Sequence, residues 1–232
     1  MIKDRNIDPG ANIQLSKIAG LGLGPITGET FYVAKKGIQS RTWLDGRVPG
    51  DHLFLTIDAA INKCVAERGD VIIVAPGHTE DVVAAAGIDV DVANVSIIGL
   101  GNGDDRPTIN FTTAKTADID IDAANILIEN IYFDLTGIDE LAAAIDVNAA
   151  NFTLKNCEIL MADSGGQAKN AITTAATAHN LKILNCKILA PNAGADDGIN
   201  ITGAINGAEI KNCFIAGVFA LPQFTTRPET LP

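Results

Sequence analysis

Phe152-Thr153-Leu154-Lys155-Asn156-Cys157-Glu158-Ile159 returns as Leu181-Lys182-Ile183-Leu184-Asn185-Cys186-Lys187-Ile188. It returns again as Ala208-Glu209-Ile210-Lys211-Asn212-Cys213-Phe214-Ile215. Each copy alternates apolar and polar residues with period two, the pattern of a strand buried on one face. Upstream, Val95-Ser96-Ile97-Ile98-Gly99 and Ile126-Leu127-Ile128-Glu129-Asn130 carry the same alternation. A second short run opens each unit: Ile88-Asp89-Val90-Asp91, Ile119-Asp120-Ile121-Asp122, Ile145-Asp146-Val147-Asn148, Ile172-Thr173-Thr174-Ala175 and Ile199-Asn200-Ile201-Thr202. These openings lie 31, 26, 27 and 27 residues apart. Short strands returning at such a period predict a solenoid. No helical stretch fits between them, so the coil is expected to be all-β.

Two columns follow from the register. Asn130, Asn156, Asn185 and Asn212 occupy equivalent positions, and stacking would set their amides in a ladder, each bonding the next. Cys157, Cys186 and Cys213 follow them and would stack inward, beside Ile159, Ile188 and Ile215. A recurring Cys raises a metal site. No His or Cys stands two or three positions on to complete a ligand set, so a column of small core side chains is the expectation, with no metal.

Outside the repeat the chain divides readily. Residues 1–28 read as an extended arm and joint, with Gly20-Leu21-Gly22-Leu23-Gly24-Pro25 and Gly28 giving a flexible link. Such a segment cannot bury itself, so its apolar residues Ile2, Ile7, Ile13, Leu15 and Ile18 are expected to grip another chain. Residues 29–69 form an opening module: a strand at Thr30-Phe31-Tyr32-Val33-Ala34, a loop from Lys35 to Asp51, then a capping helix. Ile57, Ala60, Ile61, Cys64 and Val65 give that helix its spacing, Thr56 its N-cap and Gly69 its stop. The solenoid is expected over 70–220 and a Pro-rich tail, with Pro222, Pro228 and Pro232, over 221–232.

The 232 residues are 47% hydrophobic but only 5% aromatic, with 22 Gly and a net charge of −11. Disorder is excluded, and the core must be built from small and β-branched side chains. The negative charge repels polyphosphate, so a nucleic-acid partner is not expected. No run of about 18 uncharged apolar residues marks a membrane span. Met1-Ile2-Lys3-Asp4-Arg5-Asn6 lacks the apolar stretch of a secretory signal, so export is not expected.

Ala59-Ala60-Ile61, Gly69-Asp70-Val71-Ile72-Ile73-Val74-Ala75-Pro76-Gly77, and Ile97-Ile98-Gly99-Leu100-Gly101 with Arg106-Pro107-Thr108-Ile109 together resemble the start of pectate-lyase-like right-handed parallel β-helix proteins. The resemblance covers about residues 55–220. It implies a single-stranded right-handed parallel β-helix of about six coils, capped by an N-terminal helix, on the order of 30 Å long. That superfamily holds lyases, hydrolases, esterases, adhesins and phage structural proteins, so fold alone does not assign activity.

Candidate chemistry is sparse. Asp89, Asp120 and Asp146 should form an outward column, with Asp91 and Asp122 parallel to it. Carboxylates on adjacent coils would lie within about 5 Å, close enough for a hydrolase pair or a bridging calcium. The column fades into Thr173 and Asn200, with no Arg or Lys in register to serve as a lyase base. Asp118, Asp120, Asp122 and Glu129 mimic a calcium loop, but Ala123 stands where that loop needs Gly. Asp163-Ser164-Gly165-Gly166 echoes a protease nucleophile segment without a triad around it, and His52, His78 and His179 are scattered. Arg68-Gly69-Asp70 falls where a helix meets a strand, and Arg106 is expected to pair with nearby acids.

A short acidic β-helix with an arm resembles phage virion proteins that trimerise on the capsid. The expected function is therefore a capsid decoration (cement) protein, a homotrimer on the virion surface bound to the major capsid protein, with no cofactor and no catalysis. The rival is a tail spike or fibre that binds or cleaves host surface polysaccharide, for which Phe133, Phe214 and Phe219 are the available rings, mostly at core positions. An adhesin-like binding module comes behind, for want of an export signal.

Overall fold

The structure is a computed structural model, and its described residues are 28–161, 167–220 and 224–226. Ile2, Ile7, Ile13, Leu15 and Ile18, the segment Asp163–Gly166, and Pro222, Pro228 and Pro232 lie outside them.

Three parallel sheets wind around one core. Sheet A holds β1 (Thr30–Val33), β2 (Leu53–Phe54), β3 (Val71–Val74), β6 (Ser96–Gly99), β9 (Leu127–Glu129), β12 (Thr153–Lys155), β15 (Lys182–Leu184) and β18 (Glu209–Lys211). Sheet B holds β4 (Thr79–Val82), β7 (Thr108–Phe111), β10 (Tyr132–Asp134), β13 (Glu158–Leu160), β16 (Lys187–Ala195) and β19 (Phe214–Phe219). Sheet C holds β5 (Ile88–Asp89), β8 (Ile119–Ile121), β11 (Leu141–Val147), β14 (Ala168–Thr174), β17 (Asp197–Ile201) and β20 (Phe224–Thr226). From β3 onward, each coil takes one strand from each sheet in turn. Every pairing among the described strands is parallel, and crossovers between parallel strands run right-handed, which makes this a right-handed parallel β-helix.

The register is the one the repeat predicts. Ile97, Ile128, Leu154, Ile183 and Ile210 stack along sheet A, and Ile88, Ile119, Ile145, Ile172 and Ile199 along sheet C. Sheet B contributes Ile109, Phe133, Ile159, Ile188 and Ile215. Except for Ile210 and Ile215 in the last coil, all of these are buried. A fully buried Ile or Phe contributes about 2–3 kcal/mol, so mutual burial of neighbouring coils is the main stabilising term.

In the last four coils the corner between sheets A and B turns on a single residue with positive φ. Asn130, Asn156, Asn185 and Asn212 hold φ of 59, 54, 54 and 54°. Most side chains resist this left-handed conformation, and Asn tolerates it through local hydrogen bonding. The corner before sheet A repeats the device with Asn94, Asn125, Asn151 and Asn180 at φ of 63, 62, 62 and 57°, and Gly207 at 75°.

The opening module differs from expectation in two places. The capping helix α2 is only Ile57–Ile61; Thr56 caps it by accepting from the Ala59 amide. It stops early because the Asp70 carboxylate accepts the Val65 amide at 2.8 Å, and Glu67 and Gly69 take positive φ. Val65 is consequently half exposed instead of packed on the helix face. The Lys35–Asp51 loop contains a helix, α1 (Gln39–Leu44), whose Leu44 packs outside sheet A on Ala34, Leu53 and Ala75. At the other end, the segment read as a tail contributes β20, paired with β17 through Ile199 and Phe224.

Candidate functional site

The outer face of sheet C gathers the acids. Asp89 pairs in register with Asp120, and Asp120 with Asp146; Thr173 and Asn200 continue the row. Strand spacing puts successive carboxylates about 5 Å apart. Asn148 ties two columns together, its Nδ2 donating to Asp120 Oδ1 and Asp122 Oδ1 at 3.0 Å each. Asp58 Oδ1 accepts the Asp89 amide at 3.3 Å, and Asp118 Oδ1 accepts the Ala86 amide.

Crowding shows in the titration of the row. Partial burial, then Asp118, Asp122, Asp146 and Asp89, push the Asp120 carboxyl up to about 6. Burial likewise raises Asp89, helped by Asp91, Asp122 and Asp58, and raises Asp146, helped by Asp118. The Asp118, Asp120, Asp122 and Glu129 set does not converge: Glu129 lies on sheet A, where it binds Lys155 at 3.0 Å. Among the described residues, no group of His, Cys, Asp and Glu is arranged to hold a metal ion.

Sheet B carries an open groove of about 510 Å3 lined by Gly103, Asp104, Arg106, Thr108, Tyr132 and Glu158. Thr108, Tyr132, Glu158, Lys187 and Phe214 form one outward column. Glu158 accepts from Lys187 Nζ at 2.8 Å and faces Arg106 Nη1 at 3.6 Å. Arg106 therefore pairs across coils with Glu158, not with the acids beside it in sequence. Burial, with Asp134 and Glu158, raises the Tyr132 phenol. Of the three phenylalanines, Phe133 is core, Phe219 is half-buried and Phe214 stands outward, 60% exposed.

The Asn ladder is broken in the column where it was expected. Asn130 Nδ2 donates to the Gly99 and Gly101 carbonyls, and Asn156 Nδ2 to Glu129 Oε1 at 2.7 Å. Asn212 to Asn185, at 3.1 Å, is an amide-to-amide step in this column. A second such stack lies in the column before sheet A, where Asn151 donates to Asn125 at 2.9 Å and Asn180 to Asn151 at 3.0 Å. That column was legible as Asn three residues before each sheet A core position. In the Cys column, Cys157 and Cys186 are buried and Cys213 is half-buried, all with free thiols. Their sulfurs face carbonyls of their own and the preceding coil, Cys157 those of Lys155 and Ile128. Desolvation holds the Cys157 thiol well above its usual range.

Two polar staples went unread. Arg68 binds Asp70 through Nε and Nη2 at 2.7 and 2.8 Å, while Asp70 also accepts the Glu29 and Val65 amides. Burial acts upward on that carboxyl, but Arg68 and the two amides outweigh it and leave it below its usual value. His78, fully buried, accepts the Lys35 amide on Nδ1 at 3.0 Å, which places its proton on Nε2, 3.2 Å from Glu80 Oε2. Glu80 in turn accepts the Ile57 amide at the start of α2.

The architecture is that of a parallel β-helix. No family model matches the chain and no curated protein matches it. Among solved structures it is similar to a rhamnogalacturonan lyase, at 16% identity and a TM-score of 0.44, over 85% of this chain and 66% of that chain's length. No helix among the described residues is long and apolar enough to cross a membrane.

Proposed function

We propose that this chain is a structural attachment protein of a virion, a decoration protein that binds the outer shell as a homotrimer. The observation that carries an assembly role is the terminal coil. Ile210, Cys213, Ile215 and Phe219 belong to the core by register yet are only partly buried, with Phe214 and Val218 exposed beside them. An apolar solenoid end that no described residue covers calls for a partner surface. The phage setting rests on the resemblance of a short acidic β-helix with an arm to virion proteins. The acidic row then serves as a charged, solvated face, keeping copies apart except at their intended contacts.

A tail-spike role that binds or cleaves surface polysaccharide is favoured by one feature, the sheet B groove with Arg106, Glu158 and the half-buried Tyr132. Add the purified full chain, and separately a chain lacking residues 1–27, to particles stripped of it, and sediment the particles. The decoration reading expects the full chain to pellet and the shortened chain to stay folded but remain in the supernatant. Depolymerisation of host polysaccharide by the free chain would favour the spike.

A further inference from the structure

The chain has one Trp, and it is 61% exposed. Trp43 stands on α1, the helix that packs outside sheet A, and not on the repeat. An indole left to solvent forgoes the burial its area would give, and such rings serve at wet contact surfaces. Trp43 is one wall of an open groove of about 510 Å3, within the usual size of a small-ligand site. Ile38 and Pro76 supply the rest of the apolar lining, and Gln39, Gly77 and Asp105 most of the polar lining. The helical turn Gly103–Asp105 separates this groove from the one on sheet B: Asp104 and Arg106 line that one, Asp105 this one.

The walls are fixed in place. Ser40 Oγ donates to the Pro76 carbonyl at 2.8 Å, tying α1 to the turn after β3. The Gly77 amide donates to the Asp105 carbonyl at 2.8 Å, tying that turn to the next coil. Arg41 Nη1 donates to the Ala34 and Phe54 carbonyls and anchors α1 on the solenoid. Arg47 lies over the indole, its Cζ 5.2 Å from the ring centroid, and donates to the Trp43 carbonyl, yet it does not line the groove. The platform is thus held before a ligand arrives, which lowers the ordering cost of binding.

Charge and hydrogen-bonding capacity narrow the occupant. Among the described residues that line the groove, Asp105 alone is charged, so phosphate, sulfate and acidic sugars meet a repelling carboxylate. A Lys or Arg offered by a protein partner would meet a ring that Arg47 already engages. The side chains of Gln39 and Asp105 are exposed, and no group among the described residues bonds them. A carboxylate accepts two hydroxyls at once through charge-assisted bonds, and an amide both donates and accepts. A flat indole beside such groups suits a pyranose ring, which presents C–H bonds on one face and hydroxyls around its edge.

We propose that the groove between α1 and the Pro76–Gly77 turn binds an uncharged pyranose unit of a glycan, its C–H face on the Trp43 indole and its hydroxyls on Asp105 and Gln39. The site binds without catalysis. It goes beyond the attachment reading and does not rest on it: a chain that fails to pellet with particles leaves it standing. In a homotrimer, three equivalent grooves would turn weak single-site binding into avidity.

Because Trp43 is the only Trp, indole fluorescence of the full chain reads this groove directly. The probes are four neutral trisaccharides, maltotriose, cellotriose, mannotriose and triacetylchitotriose, with trigalacturonate as the acidic comparison. At least one neutral probe should shift the emission saturably, with a Kd on the order of 1 mM, and trigalacturonate should not. Asp105→Ala should weaken that binding about tenfold. Trp43→Ala should abolish saturation transfer to the same sugar in NMR. Both side chains are exposed, so the variants should keep the native circular dichroism spectrum. No saturable shift with any neutral probe, equal affinity for trigalacturonate, or a Kd unmoved by Asp105→Ala overturns the proposal. Transfer retained in Trp43→Ala overturns it as well, by placing the sugar elsewhere on the chain.

Discussion

Replacing Asp120 by Asn should make the protein more stable at neutral pH. Asp120 sits mid-row between Asp89 and Asp146 on sheet C, and its carboxyl is displaced from 3.8 to about 6, by burial first and then by the surrounding acids. The displacement is upward, so folding favours the protonated form. Its stabilising contribution is complete below about pH 4 and is lost as pH rises through about 6. About two units correspond to on the order of 2–3 kcal/mol, reduced by whatever solvent screens this partly exposed face. Asn keeps the size of the side chain and an oxygen for the Asn148 amide, which now donates to Asp120 at 3.0 Å. Urea denaturation of both proteins, with ligand-free samples, gives the comparison. Near pH 4 the two should agree, and near pH 7 the variant should be more stable by about 1–2 kcal/mol, with a shallower pH slope. Parallel pH profiles, or a variant less stable at neutral pH, would refute the claim that the row is electrostatically strained.

Asn151→Ala should lose about 1–2 kcal/mol, from a strained φ of 62° and the bonds to Asn125 and Asn180; Asn151→Gly should recover the backbone share in the same melting experiment. Gly99→Ala should lower the melting midpoint sharply, by at least about 2 kcal/mol, because its new methyl would lie 2.2 Å from the Asn130 carbonyl oxygen. Thiol labelling of the native protein should modify Cys213 first. Cys157 and Cys186 should wait for unfolding, and Cys64, pushed up to about 12 by burial, should stay inert near neutral pH; fast labelling of Cys157 would contradict the packing. Asp70→Asn should destabilise, the more so above the usual carboxylate range, since a lowered carboxyl contributes there and loses its effect as pH falls.

The solenoid was legible because its information is local. Period-two alternation at Leu154, Ile183 and Ile210, recurring at a nearly constant spacing, fixes both strand and stacking neighbour. Sheet B was not separable from sheet A because a single αL residue such as Asn156 divides them, and in sequence the two strands read as one run. The acidic row was legible for the same reason as the core, being the outward half of the alternation. What escaped were contacts between distant segments. The Asp70 carboxylate that ends α2 and the His78–Glu80 link to Lys35 and Ile57 depend on coil one meeting the opening module, which no periodicity encodes. The Arg106–Glu158 pair is separated by two coils of chain and escaped likewise. The amide stacks form where loop geometry brings side chains together, so Asn125, Asn151 and Asn180 share one while Asn156 turns to Glu129.

The most direct test of the attachment role is the number of copies per particle. Particles sedimented from the source lysate would be analysed by quantitative mass spectrometry, this chain against the major shell protein. The account predicts copies comparable in number to the shell protein. A handful per particle would move the chain to the tail and contradict decoration, and absence from the particles would contradict a virion role altogether.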